Sequence, residues 1–95
     1  MYRAMLVDDD VPVLEFLTKL VPWERLGLTL CGAFENGRLA YEAAQKTQPD
    51  LLITDIGMPQ MDGIELIRRL KEANPRMAVV ILSCHDEFRY AQQAI

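Results

Sequence analysis

Apolar residues along this chain follow two different repeat lengths. Arg3 to Val7, Leu51 to Thr54 and Ala78 to Leu82 are short, almost wholly apolar runs, the pattern of strands covered on both faces by helices. They are expected to be central parallel strands. Leu28 to Phe34 is interrupted by Thr29 and Gly32 and suits an edge strand instead. Between these runs the period lengthens to about 3.6. Val13, Leu14, Leu17, Leu20 and Val21 form one helical stripe, Leu39, Ala40, Ala43 and Ala44 a second, and Ile64, Ile67 and Leu70 a third. Phe88, Ala91 and Ile95 mark a fourth.

The punctuation agrees with that division. Asp10, Asn36 and Asp62 stand where helix N-caps belong, Pro12 falls in a first turn, and Pro22, Pro49 and Pro75 follow helix ends, each a position its residue type favours. Alternating strands and helices imply an α/β domain with a parallel sheet and right-handed crossovers. At 95 residues and 51% hydrophobic content, one domain spanning 1–95 with a small core is expected, and a multi-domain enzyme is excluded. The fourth helical stripe stops at Ile95 with no cap and no following strand, so the sequence reads as cut. An open sheet edge is a liability toward a homodimer or a strand-swapped oligomer.

Charge narrows the function classes. Ten Lys and Arg against fourteen Asp and Glu give a formal charge of −4, leaving no basic face to bind nucleic acid directly. The first apolar run is ended by Asp8, Asp9 and Asp10 and is too short for a secretory signal, and no stretch approaches the roughly 18 apolar residues of a membrane span. A cytoplasmic protein is expected. Cys31 and Cys84 lack metal-ligand spacing and read as reduced thiols.

The acids carry the chemistry. In an open parallel sheet every strand ends at the same rim, where ligands bind. Asp8, Asp9 and Asp10 follow the first strand and Asp55 follows the third, so carboxylates converge if those strands are neighbours. Two unit charges about 5 Å apart repel by roughly 3 kcal/mol at an effective dielectric near 20. Such a group calls for a cation, and its donors are hard oxygens with no His or Cys beside them, which suits Mg²⁺ better than zinc. Mg²⁺ brings phosphate chemistry, and a strand-end Asp can serve as nucleophile by forming an acyl phosphate. Ser83 closes the fourth strand at the same rim with a hydroxyl to offer, and Gly57 can turn a backbone carbonyl toward the metal.

These pieces, "VDDD", "TDIGMPQMDG" and "ILSCHD" in this order, resemble the receiver domain of two-component response regulators. The resemblance covers essentially the whole chain. It implies a flavodoxin-like doubly wound sheet with strand order 2-1-3-4, the fifth strand and fifth helix of the family being missing; the order is borrowed from the chemotaxis receiver, which is a worked example of this fold. It makes Asp55 the phosphoacceptor, Asp9 a direct Mg²⁺ ligand, Asp8 a ligand through water, Gly57 the carbonyl ligand and Ser83 the switch hydroxyl. Three acids in a row offer two possible pairs; Asp8 with Asp9 is preferred because Asp10 is the better helix cap.

The resemblance also implies a sensor histidine kinase as phosphodonor and a conformational switch in place of enzymatic turnover. Control of DNA would then run through a missing output domain; the "VPWERLGL" segment is similar to receivers joined to arabinose-regulator-type DNA-binding domains. The family's strand-end lysine has no counterpart, since Lys19, Lys46 and Lys71 fall on helices, which implies poor phosphotransfer. His85 lies where the acyl phosphate's lifetime can be influenced, or is simply an exposed loop imidazole. Two other readings stand beside this one. A Mg²⁺-dependent phosphohydrolase would use the same nucleophile, but commonly carries a second Asp where this chain has Gly57. The other is an interaction module that takes no phosphate.

Overall fold

In the computed structural model, which describes residues 1–58 and 60–82, four strands and three helices alternate. They are β1 (Tyr2–Val7), α1 (Val11–Leu20), β2 (Leu28–Phe34), α2 (Gly37–Thr47), β3 (Leu51–Asp55), α3 (Gly63–Ala73) and β4 (Ala78–Leu82). All strand pairs are parallel and the order is β2-β1-β3-β4. The doubly wound sheet with order 2-1-3-4 is therefore present. Ser83, Cys84, His85 and the fourth helical stripe lie outside the described residues.

Local chemistry explains each boundary. Asp10, Asn36 and Asp62 accept the amides of Val13, Leu39 and Glu65 at 3.4, 2.9 and 2.9 Å, satisfying donors that every helix start leaves over. The helices stop at C-caps Val21, Gln48 and Asn74, each just before a proline that cannot continue the helix. Trp23 donates its indole N–H to the Thr18 carbonyl at 3.2 Å, seating its ring at the end of α1. The return to β2 runs through a 3₁₀ turn, Glu24–Leu26, and Gly27 at φ 76°, a left-handed conformation that glycine adopts freely.

The main core lies on the face of the sheet that carries α2 and α3. Met5, Val7 and Leu52 from the strands meet Ala40, Ala44, Leu66, Ile67, Leu70 and Met77. Helix α2 approaches on its smallest side chains, Gly37, Ala40 and Ala44. That close approach rotates Leu39 outward to 44% exposure, where the helical stripe had placed it inside. Leu20 departs from its stripe in the same way at 61% exposure, because α1 sinks only Leu14 fully. Arg69 of α3 stands 5.5 Å from the Tyr41 ring centre, a cation–π contact joining the two helices. Among the described residues no helix is long and apolar enough to cross a membrane.

Leu66 is fully buried in this core. Leu66→Ala should lower stability by about 2–5 kcal/mol, read as a shift of the urea midpoint, whereas Leu39→Ala at the exposed position should leave that midpoint almost where it was.

Candidate metal and phosphoacceptor site

Strand register builds the site. Val7 pairs with Thr54, so the next residues, Asp8 and Asp55, come level at the C-terminal rim. Asp55 is the last residue of β3 and pairs with Leu82 of β4; it belongs to the strand where sequence spacing had placed it just beyond. One carboxylate oxygen each from Asp8, Asp9 and Asp55 lie within 4.8 Å of one another. Asp10 is turned away to cap α1. Of the two pairs the sequence left open, the structure thus brings Asp8 and Asp9 to Asp55.

Backbone donors fix the carboxylates. Asp8 accepts the Asp10 amide at 2.9 Å, and Asp55 accepts the Ile56 amide at 2.8 Å. The Asp55 carbonyl receives the hydroxyl of the fully buried Thr54 at 2.8 Å. Asp8 is only 6% exposed. Burial, together with the neighbouring charges of Asp9 and Asp10, raises its pKa above the ordinary 3.8, against the opposing pull of the Asp10 N–H. An acid already reluctant to ionise, beside two more, suits a cation. Among the described residues the cluster consists of carboxylate oxygens, a hard donor set that Mg²⁺ accepts.

The loop after Asp55 is closed on itself. The Ile56 carbonyl accepts two amides, from Met58 at 3.1 Å and from Gly63 at 2.7 Å. Gly57 is left exposed at the crest while Ile56 and Met58 are buried. Gly63 is required at the loop's base, since a Cβ there would stand 2.8 Å from the Ile56 Cα and 2.9 Å from the Asp55 carbonyl carbon. The three lysines all sit in the last turns of their helices, and helices here run opposite to the strands. Lys19, Lys46 and Lys71 therefore lie at the far rim.

Comparison with known proteins agrees with this geometry. Residues 4–95 match the response regulator receiver domain family. The chain belongs to that family. The transcriptional regulatory protein YesN of Bacillus subtilis is 40% identical over all 95 residues, which make up 26% of YesN. Two solved structures superpose closely. A two component transcriptional regulator AraC from Clostridium phytofermentans gives a TM-score of 0.93 at 30% identity, covering 100% of this chain and 74% of that one. The REC domain of AraT, a response regulator from Geobacillus stearothermophilus, gives 0.91 at 29%, covering 98% and 72%. This receiver thus spans about a quarter of the length of YesN.

Two residues packed around β3 and the loop after it escaped the sequence reading. Thr54 is a lone hydroxyl in an apolar strand, and Gly37 follows a helix cap just as Gly63 does. Glycine is a poor helix former, so its appearance right after both Asn36 and Asp62 is a signal that a Cβ is excluded there.

The raised Asp8 pKa sets a stability test. Folded Asp8 holds its proton more tightly than unfolded Asp8. The stability this gives is fully present below the unfolded value of 3.8 and is lost as pH rises through the higher folded value. At pH 7 and free of metal, Asp8→Asn should therefore raise the melting temperature by a few degrees. The gain should shrink on acidification toward the folded pKa, as scanning calorimetry in chelator at both pH values will show.

Proposed function

We propose that this receiver takes a phosphoryl group from a sensor histidine kinase onto Asp55 in a Mg²⁺-dependent step and passes the resulting conformational change to an output domain that controls transcription. The observation that carries this reading is the meeting of Asp8, Asp9 and Asp55 within 4.8 Å at the rim. The likeness to transcriptional regulators supports the output. Such a protein works in the cytoplasm and acts on DNA through its output domain.

The chain's own residues divide the work. An Asp55 carboxylate oxygen attacks the phosphorus of the donor phosphohistidine; the new O–P bond forms as the P–N bond breaks, and the imidazole leaves with the electron pair and is protonated. The Ile56 amide orients that carboxylate, and Thr54 holds its backbone. Asp8, Asp9, Asp55 and the Gly57 carbonyl would hold Mg²⁺, with Asp9 bound directly and Asp8 through water. When bound, the ion supplies positive charge to the acids and to the phosphoryl oxygens. Ser83 follows directly on Leu82, the register partner of Asp55, and is assigned the hydroxyl that meets the transferred group. The switch is biased by contacts made only in the phosphorylated state. Gly57, standing where a hydrolase would carry its second acid, favours a stable phosphoacceptor over a turnover enzyme.

Incubation of the full-length protein with acetyl phosphate and Mg²⁺ should add one phosphoryl group by mass, and Asp55→Asn should abolish the gain. Asp9→Asn should weaken Mg²⁺ by about tenfold or more in a calorimetric titration. A wild-type protein that neither binds Mg²⁺ nor gains mass would overturn the reading.

A further inference from the structure

We infer that Gly37, on a different element from any of the acids, is a positioning residue for the metal site. Its place in the fold carries this. Gly37 is the first residue of α2, buried, and flush against the backbone of Met61 in the loop between β3 and α3. A Cβ at position 37 would stand 2.9 Å from the Met61 carbonyl carbon and 3.0 Å from its Cβ, and closer still to the carbonyl oxygen. Atoms do not share that space, and the obstacle is backbone, not the movable end of a side chain.

Met61 has little room to retreat. The loop it belongs to is tied at its base by the two amides on the Ile56 carbonyl, and Gly63 presses against Asp55 and Ile56 on the other side. Gln60, next to Met61, already stands at φ 70°, a left-handed conformation that side chains resist. Displacing Met61 therefore presses on the loop whose crest is Gly57, the residue whose carbonyl the proposed function assigns to Mg²⁺. The absent side chain of α2 keeps that carbonyl in place. Asn36 closes the first turn of α2, its side-chain oxygen taking the Leu39 amide at 2.9 Å.

This inference rests on the metal-binding reading, and its test separates the two. The measurements are Mg²⁺ affinity by calorimetry and the backbone amide resonances of Gly57 and Met61 in metal-free protein. Gly37→Ala should shift those resonances and weaken Mg²⁺ by about tenfold. The control is Gly27→Ala, where a Cβ meets nothing within 4 Å but φ 76° strains the backbone; it lowers stability far from the loop and should keep affinity within about twofold. Unmoved resonances in Gly37→Ala, or an equal loss of affinity in Gly27→Ala, overturn the inference. If Gly37→Ala does not fold, Asn36→Ala loosens the same turn without a clash and decides the matter. A loss of about threefold or more with shifted Gly57 and Met61 amides supports positioning, and unchanged affinity refutes it. Absence of Mg²⁺ binding in the wild type defeats the metal reading instead, and leaves the metal-free resonances to judge Gly37.

Discussion

Three negative charges must be held together at one rim of the sheet, and the structure around them is shaped by that repulsion. Water alone would spread such groups apart. Here two of them are fixed through backbone, Asp8 by the Asp10 amide and Asp55 by the Ile56 amide. The strands beneath them cannot yield, because Met5, Val7 and Leu52 are locked into a close-packed core. Core packing is therefore what keeps the acids close, and burial, with the neighbouring charges of Asp9 and Asp10, is what raises the pKa of Asp8.

The helices decide where the lysines are. Lys19, Lys46 and Lys71 complement the negative ends of their helices, which puts all three at the rim opposite the acids. Arg38, in the first turn of α2 and so near the site, is engaged with Glu42 at 3.4 Å, a solvent-exposed pair of small energetic weight. Glu65 likewise occupies Arg68 and Arg69 on the surface of α3. These arginines are thus engaged in surface pairs on their own helices.

Much of this was readable from residues alone, for definite physical reasons. Strands buried on both faces leave uninterrupted apolar runs, and caps and prolines mark helix ends through donors that must be met, so the elements fell within a residue or two of their places. Asp10 was expected as the cap of the first helix, and it caps α1. Packing depth was not legible. Leu39 and Leu20 fit a helical stripe as well as any buried residue, yet how far each helix sinks depends on its smallest side chains, and α2 sinks on Gly37, Ala40 and Ala44. Periodicity records which side of a helix is greasy, not how close its axis comes to the sheet.

Close approach is also what links the core to the rim. A helix that settles near the sheet on glycine and alanine brings its first turn against Met61 in the loop that follows Asp55. Substitutions that thicken this face push outward in two directions, against Met5 and Leu52 below and against Met61 above. Only the lower contact is apolar and able to repack; the upper one is backbone against backbone. A side chain added at Gly37 therefore meets the loop first.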